Sequence, residues 1–155
     1  WGHGDLFIQA LRPFSKSPSE KLRRLNDASI ACMVQLGALR FLALGDLERA
    51  GEVELIARDA DLKADLLKVG HHGSRTSTTW ELLNAVAPRA ALISAGWQNA
   101  FHHPSPIVLG RLGVKKVDVF RTDLDGEIRV EVDEEGWSLR SFAKTYPISN
   151  VPTLD

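Results

Sequence analysis

Val69-Gly70-His71-His72-Gly73-Ser74-Arg75-Thr76-Ser77 joins an apolar run, Ala64 to Val69, to a helical pattern opening near Thr78. The run reads as a buried strand. Two adjacent imidazoles, flanked by glycines and followed by hydroxyls, therefore sit where a strand hands over to a helix. Open α/β sheets place their ligand sites at such strand ends, and loops on a rigid scaffold tend to carry chemistry. One ring donating to a carbonyl while the other is solvated is the plainer reading of a His pair. The chemical reading is that histidine ligates metals and moves protons near neutral pH.

Outward from this loop the chain alternates. Upstream, Asp5 to Leu11 is a strand candidate closed by Pro13, and Asn26-Asp27 marks a turn. Ile30 to Leu36 and Leu39 to Leu44 flank Gly37-Ala38 and read as a hairpin. Glu48 to Arg58 is helical, with Leu47, Leu55 and Ile56 as its buried stripe. Downstream, Thr78 and Glu81 have capping-box spacing ahead of Leu82, Leu83 and Val86, and Pro88 stops that helix. Ala90 to Ser94 is a strand, Ile107 to Leu112 a short helix ended by Gly113, and Val117 to Arg121 another strand. Asp125-Gly126 turns the chain into Glu127 to Val132, whose alternation is that of a half-exposed strand pairing with Trp137 to Phe142. The order is mixed α/β: a strand, a hairpin, three strand-helix alternations and a terminal hairpin. Residues 1–142 form the domain part, and 143–155 read as a tail.

Composition bounds the function. A chain of 155 residues fits one domain and buries about 70% of its unfolded surface. With 44% hydrophobic and 25% charged residues it is an ordinary globular sequence. A net charge of −1 provides no global field for nucleic acid, so any DNA must be held by local sites. Arg75, Arg111, Lys115 and Lys116 could touch a phosphate backbone, although charges of this kind usually form a solvated face. Cys32 is the one cysteine, so no intrachain disulfide forms. The longest apolar stretch, Ile30 to Leu44, is interrupted and shorter than the roughly 18 residues of a membrane span. No basic n-region precedes an apolar core, so no signal peptide is expected.

Three loops leave strand ends with polar residues: Gly45-Asp46, Gly70 to Ser77, and Gly96 to Pro104. If their strands are neighbours, these loops converge at one sheet edge. Asp46 is either a helix N-cap or a carboxylate bridging two divalent ions. His103 precedes Pro104 and is held extended, which presents its ring from a fixed backbone. His102 beside it reads as a solvated loop residue.

Asn26-Asp27-Ala28-Ser29, Phe41-Leu42-Ala43-Leu44-Gly45-Asp46, Lys68-Val69-Gly70-His71-His72-Gly73-Ser74, Ile93-Ser94-Ala95-Gly96 with Asn99 and His103-Pro104, and Arg121-Thr122-Asp123 with Gly126 occur in that order. From about Asp5 to Val132 this resembles the C-terminal metallo-β-lactamase-fold domain of the ComEC family of DNA-internalisation competence proteins. The resemblance implies the second half of an αββα sandwich with a mixed sheet. The family's His-x-His-x-Asp-His motif, which supplies most of a two-metal site, is absent. Trp1-Gly2-His3-Gly4-Asp5 is too short to replace it.

By position, Asp46 and His103 resemble metal ligands, and His71 and His72 resemble the catalytic pair, with His71 meeting the phosphate or leaving group. The division between His71 and His103 stays open. Asn26, Ser29, Ser74 and Asn99 resemble residues that contact phosphate or orient the ligands, and turn and cap chemistry is their plainer role. The implied reaction is metal-dependent phosphodiester hydrolysis degrading the DNA strand that is not transported. It would use two divalent ions, Mn or Zn, in the complete domain, while the chain alone is expected to bind them weakly and be inactive.

The implied partners are DNA, the rest of the membrane channel protein and other competence proteins. The implied location is the extracytoplasmic face of the membrane. Two further readings are a non-catalytic interaction fragment of the transporter, and a related phosphoesterase such as a phosphorylcholine esterase. For the last, Trp80 and Trp97 would build an aromatic cage.

Overall fold

The computed structural model describes residues 6–12, 25–58, 61–142 and 145–146. Six strands form one sheet in sequence order: β1 (Leu6–Arg12), β2 (Ala31–Leu36), β3 (Leu39–Ala43), β4 (Leu66–Lys68), β5 (Ala90–Ile93) and β6 (Asp118–Arg121). β1, β2 and β3 are antiparallel, and β3 to β6 are parallel. The parallel half needs crossovers, because neighbouring parallel strands begin at the same end. Helices α1 (Arg49–Arg58), α2 (Trp80–Val86) and α3 (Pro106–Val114) provide them. A separate antiparallel sheet contains β7 (Ile128–Asp133), β8 (Gly136–Ser141) and β9 (Thr145–Tyr146), reached through the single helical turn α4 (Thr122–Asp125). The chain is thus α/β with a mixed sheet and a terminal hairpin, as its patterning implies.

Period-two alternation sorts the parallel strands into two cores. Leu42, Leu67 and Ala91 join Leu47, Leu55, Leu82, Leu83, Val108 and Leu112 on the helical face. The adjacent residues Phe41, Leu66, Ala90 and Leu92 point the other way and pack with Phe120, Trp137 and Leu139 of the hairpin side. Both faces are covered, which is why Leu66-Leu67 and Ala90-Ala91 are apolar without interruption.

Two local expectations are corrected. Thr78 does not open α2: its φ is 52°, and Thr79 is the N-cap, accepting from Leu82 N at 3.2 Å. The capping box with Glu81 is therefore out of register. Gly113 does not end α3, which is capped at the start by Ser105, has Pro106 at its first turn and runs to Val114. An exposed glycine inside a helix weakens it by only about 1 kcal/mol, less than the buried Val108 and Leu112 supply. Of the expected tail, Thr145–Tyr146 pair with β8. The rest, like His3 and the strand start at Asp5, lies outside the described residues.

Candidate functional site

The three loops at the parallel strand ends meet. His71 N donates to Gly45 O at 2.9 Å, His72 Nδ1 contacts Ser94 O at 2.7 Å, and Ser105 N donates to Gly73 O at 2.8 Å. Each bond ties one loop to the next. Glycines permit the approach: a Cβ on Gly73, at φ 83°, would lie 2.6 Å from Pro104 Cβ, and one on Gly45 would lie 2.9 Å from Ile30 O.

The His-His turn is conformationally expensive. His71 and His72 both sit in the left-handed region, at φ 46° and 53°, where a residue with a Cβ costs about 1–2 kcal/mol. Such strain persists only where surroundings over-determine it. Here Ser77 Oγ donates to Gly70 O at 2.7 Å and to Ser74 O at 2.9 Å, and Ser74 N donates to His71 O. Behind this turn lies Glu52, a fully buried carboxylate on α1. It accepts from Thr78 N, Thr79 N and Thr79 Oγ1 at 2.5, 3.0 and 2.7 Å. Burial pushes the Glu52 carboxyl above its ordinary range, against the opposing pull of those bonds and of Arg111. From the other side, Arg111 Nη1 donates to Ser77 O and Thr78 O, both at 3.0 Å. Arg111 is thus engaged in holding the loop, whereas Arg75, Lys115 and Lys116 are exposed.

The imidazoles have distinct partners. His72 Nε2 lies 3.6 Å from Asp46 Oδ1, with Nδ1 on the Ser94 carbonyl. A carbonyl only accepts, so Nδ1 carries the proton. In the neutral ring, Nε2 and the carboxylate then present two acceptors to one another, an arrangement that a proton or a cation between them satisfies. Asp46 does not cap α1. Its own N–H is bonded by Ser29 Oγ at 3.0 Å, and Asp27 Oδ1 accepts from Glu48 N and Gly51 N, both at 3.0 Å. Asp46 is left half-exposed toward His72.

His71 belongs to another group. Its Nδ1 is buried 3.3 Å from Glu48 Oε1, close enough to pair when the ring is protonated but not aligned as a hydrogen bond. Asn26 Nδ2 donates to the same Glu48 oxygen at 3.2 Å. His103 approaches His71 edge-on, with ring centroids 5.8 Å apart, and no contact joins it to Asp46 among the described residues. Burial, and then the charges of His71 and His72, hold His103 below the ordinary imidazole range. Asn99 braces its backbone: Nδ2 donates to Gly96 O and His103 O, and Oδ1 accepts from His103 N. Ser74 Oγ pairs with Thr76 Oγ1 at 3.0 Å.

Sequence reading missed Glu48, Glu52 and Lys68. Lys68 is half-buried at the end of β4, where burial lowers its pKa against the attraction of Asp46. Glu48, just ahead of α1, and Glu52, within it, stand four residues apart and are both buried, and acidic residues at the spacing of a buried stripe are the signal that was available. The two residues of the supposed aromatic cage have separate surroundings. Trp80 walls a cavity of about 780 Å³ beside α1 and α2, together with Val53, Arg49 and Glu48, and Trp97 is not part of its lining.

The donor set falls short of a metal centre. Among the described residues no three His, Cys, Asp or Glu side chains are grouped to hold an ion. Asp46 and His72 supply one carboxylate and one imidazole, fewer than the three or more protein ligands usual for a catalytic ion.

No family model matches the chain. Curated relatives do. ComE operon protein 3 of Bacillus subtilis (strain 168) is 39% identical over 125 residues, which are 81% of this chain and 16% of that protein. Competence protein ComA of Neisseria gonorrhoeae is 34% identical over 77% of the chain and 18% of its own length. Recombination protein 2 of Haemophilus influenzae is 37% identical over 84% of the chain and 16% of its own length. Relatives named as a ComE operon protein, a competence protein and a recombination protein thus match most of this chain, and the chain spans less than a fifth of each.

Proposed function

We propose that this chain is part of a phosphodiester-cleaving domain of a competence protein, the C-terminal half of a metallo-β-lactamase-like sandwich that degrades the DNA strand left outside. The observation that carries this reading is the meeting of Asp46, His71, His72 and His103 on three loops at the ends of parallel strands. The competence names of the relatives support the DNA-uptake context. Because the donor set among the described residues is incomplete, the remaining ligands of a divalent-ion site would come from outside that set, and the chain alone is expected to be a poor catalyst.

Within the site, Asp46 and His72 are the ligand pair, since their acceptor atoms face one another with the His72 tautomer set by Ser94 O. This moves the ligand role that chain position assigned to His103 onto His72. His71, with Nδ1 against Glu48, offers its other nitrogen to a phosphate or leaving-group oxygen as proton donor. His103, which burial holds below the ordinary imidazole range, stands edge-on beside it. The partners are DNA, the remainder of the parent membrane protein and other competence proteins, at the outer membrane face. No helix among the described residues is long and apolar enough to cross a membrane.

The complete parent protein tests this. Asp46→Asn is expected to lower both bound divalent metal and DNA hydrolysis by at least about 10-fold, the loss typical when metal-site partners are removed. His71→Ala keeps its metal and loses about 10²–10⁴-fold in rate. Unchanged hydrolysis in Asp46→Asn removes Asp46 from the site. Absence of hydrolysis in the metal-loaded parent favours the non-catalytic reading.

A further inference from the structure

The loop after β5 carries two large aromatic side chains that packing does not explain. Trp97 is 69% and Phe101 78% exposed, although burying either would be favourable. The loop that presents them is closely braced. Asn99 makes three side-chain hydrogen bonds to Gly96 and His103, His102 N donates to Asn99 O, and Ser105 N ties the end to Gly73. Phe101 also has a defined place beside the site. Its ring stacks on His103, with centroids 5.9 Å apart and planes inclined by 25°, and His103 in turn meets His71.

We propose that Phe101, with Trp97 on the same loop, is a stacking platform for a nucleobase of the strand being cut, next to the scissile phosphate. This rests on the phosphodiesterase reading and names the subsite that grips the substrate. A quaternary ammonium needs rings that enclose it. Phe101 laid on His103 has one face covered and offers a flat plane, and planar bases stack on such planes without regard to sequence. A stacked base has left the duplex, so the subsite selects single-stranded or frayed nucleic acid.

The test titrates this chain with a thymidine dodecamer, an abasic strand of equal charge, the corresponding duplex, and phosphorylcholine, following tryptophan fluorescence and anisotropy. The thymidine strand is expected to bind best, and Phe101→Ala to weaken it roughly 5- to 150-fold. Phe101→Trp restores binding, and the weak affinity for the abasic strand is the same in all three proteins. Phe101 is largely exposed, so loss of folding is not expected, and circular dichroism checks it. Equal binding by Phe101→Ala and the original chain, equal binding of abasic and thymidine strands, no binding of the thymidine strand, or preference for phosphorylcholine would each overturn the proposal. The readout needs no catalysis. A parent that cleaves DNA while binding proves ring-independent sinks the platform alone. Ring-dependent binding with no hydrolysis in the parent sinks the reaction and leaves the platform.

Discussion

The loops after β4 and β5 each aim a histidine at the same place, and they are held by different means. Gly70 to Thr79 has its own internal bonds through Ser74 and Ser77 and is clamped in addition from outside, by Glu52 of α1 and Arg111 of α3. Gly96 to His103 is fixed largely from within, by the amide of Asn99 closing on residues three and four positions away. Both loops contain left-handed non-glycine residues, but in the first loop two of them, His71 and His72, are consecutive, and its brace is charged, buried and long-range. In the second the left-handed residues, Gln98 and His102, are separated, and a neutral amide braces a loop that carries exposed rings.

Removing the clamp should have the larger effect. Glu52→Ala leaves two buried amide donors and a hydroxyl without acceptors, at about 1–3 kcal/mol each. A loss of at least about 3 kcal/mol is expected in urea unfolding, with an unchanged slope. A loss below about 1 kcal/mol would show that the turn holds itself and that the two loops do not differ. Asn99→Ala should cost about 1–2 kcal/mol, confined to its own loop. Amide exchange at His102 and His103 accelerates while Leu42 and Leu67 of the sheet keep their protection. Faster exchange throughout would mean that this loop too is integral to the core.

The subtlest difference is that one brace titrates and the other does not. Burial raises the folded-state pKa of Glu52 above its ordinary 4.5, so between pH 4.5 and the raised value the native state holds a proton that the unfolded chain has released. Stability contributed by that proton is fully present below 4.5 and is lost as pH rises through the folded value. Asp61, Asp123 and Glu127 are shifted downward, so their contribution falls away on acidification, below their ordinary values of 3.8 to 4.5. Unfolding midpoints measured from pH 4.5 upward should therefore show a decline that Glu52→Gln removes and Asn99→Ala leaves in place. A decline persisting in Glu52→Gln would assign it to another group.

By itself the sequence determined the local structure. The two-residue loop Gly37-Ala38 made a hairpin inevitable, apolar runs followed by helical spacing made parallel strands, and polar residues at three strand ends made one edge the chemical one. These signals are legible because they act over a few residues, where steric preference and burial periodicity decide. The tertiary structure alone decided the pairings: Asp46 with His72, Glu48 with His71, Glu52 with Thr78 and Thr79, Phe101 on His103. The first three join residues 23 to 27 positions apart. Which atoms meet there depends on strand register and on backbone turns such as the left-handed pair at His71 and His72. Phe101 and His103 are close in sequence, yet their rings stack only because Asn99 folds the loop back on itself. A one-residue shift, like that which made Thr79 rather than Thr78 the cap, turns a side chain away from its partner. Spacing along a chain carries no record of such a shift, because register is settled by the packing of the whole sheet.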